Sequence, residues 1–377
     1  MKLAYVHEWL VNYAGSEKVV EAMMEHHPAP IYTLVHDPEA LKNTPLAGRE
    51  IHPSFLQGFP QAIKRYQQYL PFMPLAVEQF DLTPYDVVVS SNHAVAKGAR
   101  VRADQLHLSY VHTPIRYAWD LQDEYLRDAG LTRGFKAFVV KAILHYLRLW
   151  DTSSANRVDV FMANSAYVAR RIWRTYRRKA RVVYPPVDIH LFNPAKSRDD
   201  FFLTMSRMVS YKRTDAVVQA CNELGLPLVV IGGGPDLERI RAMAGPTVKV
   251  MGRQSDEVVR DHMSRCRAFV FAADEDFGIA TVEAQASGAP VLAYGRGGST
   301  EIVQGGKTGL FFPDQGVASI KQTLQDFLKH PTFDSHFIHE QSQRFSRARF
   351  QQEFHDLLEQ SWEAFRQGQN PEDQLFR

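Results

Sequence analysis

Two glutamates at a strand-to-helix junction are the strongest candidates for chemistry in this sequence of 377 residues. Glu275 lies in a loop after an apolar stretch, and Glu283 lies about one turn into a predicted helix that starts near Ile279. The N–H groups of Phe277, Gly278 and Ile279 would lie at the positive end of that helix, which favours a phosphate or a sugar hydroxyl. Because carboxylates accept hydrogen bonds from paired hydroxyls, the two glutamates could grip a sugar and a ribose. A solvated acidic loop beside an ordinary helix start is the alternative.

Two basic residues follow a predicted strand in the same half of the chain. Arg207 and Lys212 come after the apolar run 201–205 and before a helical pattern, so both could reach a diphosphate at the strand end. Solvent-facing charge is the alternative. The glycine turn 232–234 also joins a strand to a helix, but it lacks the acidic residue of a complete dinucleotide fingerprint. The adjacent acids 274–276 are weak evidence for a metal ion, and we predict no metal site.

The first half of the chain places a glycine and a histidine after predicted strands. Gly15 lies in a loop of small residues that could approach a phosphate or a sugar closely. His112 is placed to donate a hydrogen bond to a ligand, although a lone histidine is more often structural. Arg116, Trp119 and Asp120 come next, and such aromatic and charged residues are typical of a carbohydrate or phosphate platform. We assign these three residues to the acceptor side.

The elements that must position these residues are two sets of short apolar runs with helical patterns between them. Such runs predict buried strands in the first half at 3–6, 31–35, 86–89, 108–111 and 160–163, and in the second half at 201–205, 228–231, 248–251, 268–272 and 291–293. Strand–helix alternation with fully apolar strands is typical of parallel sheets covered on both faces. Ligands of such sheets bind beyond the carboxyl ends of the strands, so two doubly wound α/β domains predict a site in the cleft between them.

The length of the chain predicts two domains joined near Pro185 and Pro186, because consecutive prolines form an extended linker. We predict a first domain over 1–188, a second over 189–350, and a C-terminal helix over 351–377 that crosses back to brace the first domain. An ordinary packing helix is the alternative. The apolar stripe on which the helix prediction depends consists of Phe345, Phe350, Phe354, Leu358 and Trp362.

Composition excludes several classes of protein. Only two cysteines are present, which rules out a disulfide framework and a cysteine-based zinc cluster. The apolar N-terminal stretch is too short for a secretory signal, and the absence of a run of about 20 apolar residues leaves a cytoplasmic protein as the expectation. The basic stretch 170–179 carries interleaved aromatics that would suit a nucleic acid. A formal net charge of +2 favours a solvated helix face instead, so we predict no nucleic-acid partner.

These residues resemble glycosyltransferase family 4, a retaining family with the GT-B fold, over nearly the whole chain. The most specific element is Glu275–Glu283, which matches the E-x7-E motif of the family with its Phe-Gly-Ile core. Arg207 and Lys212 match the diphosphate-binding pair of the family. The segments 297–303 and 305–309 match its closing segments. The first domain is similar to bacterial O-antigen-type mannosyltransferases in the segments 90–98, 112–114, 164–165 and 184–188.

The resemblance implies transfer of a sugar from a nucleotide-sugar donor, GDP-mannose first, with another GDP-sugar or a UDP-sugar left open. Glu275 would then bind the hydroxyls of the donor sugar and Glu283 the ribose, while His112 would contact the transferred sugar. Cations that neutralise the leaving diphosphate can replace a metal ion, so neither a cofactor nor a divalent ion is expected. The donor-binding residues are Gly15, Arg207, Lys212, Gly252, Arg253, Glu275, Phe277, Gly278, Ile279 and Glu283, and the catalytic set is Glu275, His112, Arg207 and Lys212. A non-catalytic nucleotide-binding protein of the same fold is the alternative from another class.

One sequence feature bears on the acceptor, for which the resemblance implies a lipid-linked glycan or a polysaccharide. The stretch 133–150 reads as a basic amphipathic helix, which predicts peripheral binding to an anionic membrane surface. Packing of the same face on its own domain is the alternative. Lys136, Lys141 and Arg148 lie toward the edges and far side of the predicted apolar face, which consists of Phe135, Phe138, Val139, Ala142, Ile143, Tyr146 and Trp150.

Overall fold

The computed structural model describes residues 1–194, 197–329 and 333–376. The chain forms two compact units, Met1–Tyr184 with Phe350–Arg377, and Pro185–Arg349. The boundary between the two units therefore falls after residue 184, whereas the sequence predicted it after residue 188. The reason is local: Val187 forms a parallel β-bridge with Ser346, and the carboxylate of Asp188 pairs with Arg347 at 2.6 Å. These contacts fix the residues after the two prolines to the second unit.

The first unit contains a seven-stranded parallel sheet in the order β3-β2-β1-β4-β5-β6-β7. The two outermost strands have two or three residues each, and the sequence did not predict them because runs this short leave no periodic signal. The strands are β1 Leu3–Leu10, β2 Ile31–His36, β3 Ile51–Pro53, β4 Val87–Asn92, β5 Leu106–Val111, β6 Val160–Ala163 and β7 Arg181–Val182.

Helices cover both faces of this sheet. Alternate residues of each strand point to opposite faces, so each strand contributes side chains to two cores. Tyr5 belongs to the core on one face, whereas Ala4 and Val6 belong to the core on the other. The helices of the first unit before the linker are α1 Gly15–His26, α2 Pro38–Leu41, α3 Ala62–Arg65, α4 Met73–Glu78, α5 Gln122–Asp128, α6 Phe135–Ser154 and α7 Ala166–Tyr176.

The second unit contains a six-stranded parallel sheet in the order β10-β9-β8-β11-β12-β13. Its strands are β8 Phe202–Met205, β9 Leu228–Ile231, β10 Val248–Gly252, β11 Ala268–Phe271, β12 Val291–Tyr294 and β13 Gly309–Phe312. Its helices are α8 Thr214–Leu224, α9 Leu237–Met243, α10 Asp256–Arg265, α11 Ile279–Ala286, α12 Ser299–Ile302, α13 Val317–Lys329 and α14 Ser335–Ser342. Both units are thus Rossmann-like α/β layers, as the strand–helix alternation predicted.

The last part of the chain returns to the first unit. Helix α15 spans Arg347–Arg366 and is followed by α16 at Pro371–Leu375. Phe350, Phe354 and Leu358 of α15 are buried in the core that also contains Tyr5. Phe345 does not belong to this stripe, because it ends a 3-10 turn before α15 and packs against Phe277 of the second unit at 5.4 Å between ring centroids.

The apolar residues that the sequence predicted on one face of α6 lie partly against the core and partly in solvent. Ile143 and Trp150 pack partly against the core of the first unit, beside the buried residues Leu144 and Leu147. The opposite side of the helix carries apolar side chains that remain exposed, namely Phe135, Phe138, Val139, Tyr146 and Leu149. Packing on the domain and exposure of an apolar face therefore occur on one helix. In the described ranges, no helix is long and apolar enough to span a bilayer.

Candidate functional site

The second unit brings Lys212 and Glu275 into direct contact at the carboxyl ends of neighbouring strands. Lys212 ends a 3-10 turn after β8, and Glu275 lies in the loop after β11, which pairs with β8. The ammonium nitrogen of Lys212 is 2.5 Å from Oε1 of Glu275, and both side chains are mostly but not fully buried. Because Lys212 and Glu275 neutralise each other, the carboxyl ends of these strands carry little net charge from this pair in the free protein. A diphosphate can attract Lys212 only by competing with Glu275.

Glycines fix the loop that carries Glu275. The N–H of Gly298 donates to the carbonyl oxygen of Glu275 at 2.8 Å. A Cβ on Gly297 would lie 2.4 Å from that oxygen, and a Cβ on Gly298 would lie 2.3 Å from Cα of Phe277. Any larger residue would push the loop away. The segment that starts at Gly297 therefore acts on the site through packing against the backbone of the loop.

Helix α11 begins directly after this loop. Gly278 caps the helix with a positive φ of 97°, which glycine adopts without strain. The N–H groups of Gly278 and Ile279 have no hydrogen-bond partner among the residues that the structure describes. They lie at the positive end of the helix and are available to an anion. Phe277 is buried, and Glu283 lies half-buried one turn into the helix.

The other residues predicted to bind the donor follow β8, β9 and β10. Arg207 is exposed and forms no ion pair within the described residues. The glycine turn after β9 packs against the loop that follows β8, since a Cβ on Gly232 would lie 1.9 Å from the carbonyl oxygen of Ser206. Gly252 ends β10 with a positive φ of 71° and accepts a hydrogen bond from the N–H of Gly232 at 2.9 Å. The side chain of Arg253 is exposed beside this turn.

In the first unit, His112 lies at the carboxyl end of β5 and is only partly buried. The backbone N–H of His112 donates to the carbonyl oxygen of Asn92, and its backbone carbonyl oxygen accepts from the side-chain amide of Asn164 at 2.9 Å. The ring nitrogen Nε2 lies 2.9 Å from Oγ of Ser91. Burial, together with His93 and His7, lowers the pKa of His112 to about 3. The imidazole is therefore neutral at physiological pH.

Behind His112 lies a buried polar chain that sequence reasoning missed. Ser91 contacts Nδ1 of His7 at 3.1 Å, and Nε2 of His7 lies 3.4 Å from Oε1 of Glu17. Burial alone would raise the pKa of Glu17. The hydrogen bond and the charge of His7 act in the opposite direction, and the pKa is lowered to about 2. Glu17 also accepts from the N–H of Ala14 at 2.9 Å. The loop next to Gly15, the first residue of α1, is thereby tied to the chain that ends at His112.

Two family models match the chain. The model described as Glycosyltransferase Family 4 matches residues 17–191, and the model described as Glycosyl transferases group 1 matches residues 188–348. The two matches together extend over most of both units. The chain belongs to the family 4 glycosyltransferases.

Curated relatives of this glycosyltransferase include mannosyltransferases. It is 31% identical over 202 residues to the GDP-mannose-dependent alpha-(1-6)-phosphatidylinositol monomannoside mannosyltransferase of Mycobacterium tuberculosis, which covers 45% of this chain and 52% of that protein. It is 28% identical over 178 residues to the D-rhamnosyltransferase WbpZ of Pseudomonas aeruginosa, which covers 42% of this chain and 47% of that protein. The chain spans about half the length of the curated relatives it matches.

Solved structures of glycosyltransferases share the fold. Anabaena HepE in complex with UDP has a TM-score of 0.69 and 18% identity, and the match covers 95% of this chain and all of that one. Sucrose-phosphate synthase from Thermosynechococcus elongatus has a TM-score of 0.75 and 16% identity, and the match covers 97% of this chain and all of that one. At these identities the comparison shows the fold alone. The glycosyltransferase therefore has the GT-B type of architecture, with two Rossmann-like units.

The residues assigned to the acceptor side are held by internal contacts. The indole N–H of Trp119 donates to the carboxylate of Asp151 at 2.8 Å. Asp120 pairs with Arg171 at 2.6 Å, although its side chain is 57% exposed. Arg116 is half-buried. In the free glycosyltransferase Trp119 thus contributes to the packing of the first unit, and only part of this stretch is open to a ligand.

Asp151 is the centre of a second buried group that the sequence did not reveal. Lys97 is fully buried, and its ammonium nitrogen lies 2.7 Å from Oδ1 of Asp151. Tyr176 donates to the same carboxylate at about 3.0 Å. Burial lowers the pKa of Lys97, and Asp151 opposes that shift. This group joins α6 and α7 to the turn after β4, and the only sequence signal for it is a lysine within an otherwise apolar segment.

The basic stretch 170–179 forms internal contacts, and a group of possible metal ligands lies elsewhere in the first unit, away from the acids 274–276. Arg178 of this stretch pairs with Glu372 at 2.9 Å within the first unit, so part of its charge is compensated internally. His27, His355 and Glu359 place ligand atoms within 4.8 Å of one another and could hold a metal ion. His27 precedes β2, so this cluster lies at the amino-end edge of the sheet, opposite to the edge that carries His112.

Glu8, next to His7 in β1, has a carboxylate that is held by several hydrogen bonds. Its side chain is completely buried and accepts from the N–H groups of residues 93–96 at 2.7–2.9 Å, and from Nδ1 of His93 at 2.8 Å. Burial raises the pKa of Glu8, but His93 and these N–H groups lower it to about 2. The loop that follows β4 is thereby held against β1.

We expect Glu8→Gln to lower the free energy of unfolding of the first unit by about 2–4 kcal/mol at pH 7, because an amide cannot accept every one of these hydrogen bonds. The pKa of Glu8 is lower in the folded state than its ordinary value of 4.5, so its stabilisation is present above that value and is lost as pH falls toward 2. The difference between wild type and variant should therefore narrow by about 1 kcal/mol between pH 6 and pH 4.

Urea unfolding followed by tryptophan fluorescence measures this difference, because the tryptophans at 9, 119, 150, 173 and 362 all lie in the first unit. Glu39→Gln, an exposed carboxylate of the same unit, is the matched control and should change little. A gap between Glu8→Gln and wild type that stays constant with pH would contradict the assignment of a low pKa to Glu8.

Proposed function

We propose that this glycosyltransferase moves a mannosyl group from GDP-mannose, with retention of the anomeric configuration, to a lipid-linked or polysaccharide acceptor in the synthesis of a cell-surface glycan such as O-antigen or exopolysaccharide. The ion pair between Lys212 and Glu275 beside the start of α11 carries the proposal. It combines a cation and two free N–H groups for a diphosphate with a carboxylate for sugar hydroxyls.

Breaking the bond between the sugar and the diphosphate requires stabilisation of the charge that develops on the leaving group. Lys212 and the N–H groups of Gly278 and Ile279 supply fixed positive potential for that charge, an electrostatic contribution of several kcal/mol. Arg207 is exposed at the end of β8 and adds a second cation. When the donor binds, its diphosphate pairs with Lys212, and its sugar hydroxyls donate hydrogen bonds to the carboxylate of Glu275. These cations perform the role of a metal ion, so transfer needs no divalent cation and no cofactor.

The choice of nucleotide depends on the relatives. The mycobacterial relative, at 31% identity, is a GDP-mannose-dependent mannosyltransferase. HepE, at 18% identity, was solved with UDP. The higher identity favours a GDP-sugar, and a UDP-sugar is the alternative. A non-catalytic nucleotide-binding protein is the alternative from another class, and transfer assays on the variants below separate it from an enzyme.

Calorimetric titration with GDP, UDP and ADP tests the choice of donor. We expect GDP to bind at least about tenfold more tightly than UDP, a difference of about 1.4 kcal/mol, and ADP to bind weakly. The titrations contain EDTA, because binding depends on Lys212 and helix α11 and not on a divalent ion. Tighter binding of UDP than of GDP would overturn the choice of GDP-mannose and leave the glycosyltransferase family unaffected.

Lys212→Ala and Glu275→Ala should each lower transfer from GDP-mannose by roughly 100-fold or more, as expected when one fixed charge at a leaving group is removed. Both side chains lie in loops at strand ends, so the melting temperature should change little. Lys249→Ala and Glu257→Ala remove the same charges at exposed positions of the second unit and serve as matched controls. Near-normal transfer by either site variant would contradict the assignment.

We also propose that helix α6 docks the glycosyltransferase peripherally on an anionic membrane that carries the acceptor. Phe135 is 81% exposed, Phe138 69% and Leu149 60%, although the core of the unit lies on the other side of the helix. Lys136 and Lys141 are exposed on the same helix, whereas Arg148 is bound to Gln122 and to the carbonyl oxygen of Ala118. An exposed apolar face beside lysines is typical of a helix that lies in the headgroup region.

Co-sedimentation with vesicles tests the docking surface. We expect binding to anionic but not to neutral vesicles, and a loss of more than about tenfold for Lys136→Glu with Lys141→Glu, since each basic residue contributes about 1 kcal/mol at an anionic surface. Lys42→Glu with Arg49→Glu makes the same charge change at exposed positions elsewhere in the unit and is the matched control. No binding to anionic vesicles at low salt would indicate a soluble acceptor.

A further inference from the structure

Three possible metal ligands meet where the end of α1 approaches the returning helix α15. His27 follows the last residue of α1 as its C-cap, and His355 and Glu359 lie in α15. One ligand atom from each of the three side chains lies within 4.8 Å of the others. His355 and Glu359 are four positions apart, so their side chains share one face of the helix. Zinc-binding helices place two ligands at this spacing.

Packing between α1 and α15 brings these side chains together. Phe354 is buried in the core of the first unit, and its ring contacts the ring of His27 at 5.9 Å between centroids. Gln351, one turn before His355, donates to the carbonyl oxygen of Ala22 in α1 at 3.3 Å. The backbone that carries the three ligands is therefore fixed without a metal ion, and binding requires little further ordering.

The two imidazoles already lie at nearly the distance that a metal ion requires. Nε2 of His27 is 3.1 Å from Nδ1 of His355. Zinc–nitrogen bonds of about 2.0–2.1 Å at a tetrahedral angle place two ligand nitrogens about 3.3–3.4 Å apart. The rings are 19° from parallel, so one of them must rotate for both nitrogens to point at one ion. The side chain of His355 is exposed and can make this adjustment.

The chemistry of the three ligands favours a transition-metal ion. A metal ion needs neutral imidazoles. Burial lowers the pKa of His27, the charges of His355 and His26 act in the same direction, and Glu359 opposes them. The side chain of Glu359 forms no hydrogen bond or ion pair in the part of the chain that the structure describes. Two imidazoles and a carboxylate suit zinc, whereas Mg²⁺ and Ca²⁺ prefer oxygen ligands.

We propose that His27, His355 and Glu359 bind one zinc ion, with water as the fourth ligand, and that this ion ties the end of α1 to α15. The site lies at the amino-end edge of the sheet, opposite to the edge that carries His112. The ion is therefore structural, and the site is independent of the proposed transfer reaction. The sequence contained no signal for it, because His27 and His355 lie 328 positions apart.

Calorimetric titration of the intact protein with Zn²⁺ tests the site, on protein purified without a histidine tag. We expect His355→Ala and Glu359→Gln each to weaken zinc binding by about tenfold or more, because each removes one of three protein ligands. Both side chains are exposed, so the variants should fold normally. Mg²⁺ should not bind at the site.

The matched controls are His26→Ala and Glu363→Gln. His26 is the exposed residue next to His27, and Glu363 is an exposed carboxylate one turn beyond Glu359 in α15. Both controls should bind zinc as tightly as the wild type. Zinc binding that is unchanged in His355→Ala, or equally weakened in the controls, would place the ion elsewhere and overturn the proposal.

Thermal unfolding followed by tryptophan fluorescence tests the role of the ion. At a zinc concentration of about a hundredfold over Kd, we expect the Tm of the wild type to rise by about 3 °C or more, and that of His355→Ala to rise much less. Transfer from GDP-mannose should be unchanged in His355→Ala. A wild-type Tm that zinc does not raise would overturn the tie between α1 and α15, and loss of transfer in the folded variant would contradict a structural role.

Discussion

The buried carboxylate of Glu8 fixes the loop after β4 in the first unit. Placing a charge inside a parallel sheet is costly, and this protein compensates for it with four backbone N–H groups of residues 93–96 and with His93. Those N–H groups belong to the loop that leaves β4, so the carboxylate determines where that loop runs. Ser91, at the end of the same strand, is thereby fixed between His7 and His112. The position of His112 therefore follows from an interaction that does not involve it.

The second unit solves a different electrostatic problem. In the proposed function it must attract an anionic donor without leaving uncompensated positive charge in the free protein. Lys212 and Glu275 neutralise each other at 2.5 Å, and the start of α11 adds a dipole that costs no side-chain charge. Gly297 and Gly298 let their segment approach the loop that carries Glu275 within a distance that any Cβ would prevent. The preorganisation of the proposed donor site thus resides in the backbone as much as in the charged side chains.

Helix α6 shows how one element meets two requirements. Its buried side is fixed by Leu144, Leu147 and the carboxylate of Asp151, which pairs with Lys97. Because those contacts hold the helix firmly, its other side can expose large apolar residues such as Phe135 and Phe138 without any gain in stability from them. Exposed side chains of this size on a well-packed helix are unusual for a surface that meets only water.

The sequence by itself determined the architecture and the family. Apolar runs of three to five residues separated by helical patterns predicted every strand of four or more residues except β13. The spacing of Glu275 and Glu283 with the Phe-Gly-Ile core predicted a candidate donor site in the second unit. These are local patterns, in which the residues that act together lie within about ten positions of one another. The strands β3 and β7 escaped prediction because two or three residues carry no periodicity.

Only the tertiary structure decided which polar residues cooperate. His7, Glu17 and Ser91 lie up to 84 positions apart, and nothing in their spacing indicates that the parallel strands β1 and β4 bring them into one chain. The same holds for Lys97 with Asp151, and for Trp119, whose indole serves the packing of the unit. Periodicity could identify α6 as amphipathic, but it could not tell its packed side from its exposed side. Burial depends on what the rest of the chain places against each face, and a single sequence does not encode that locally.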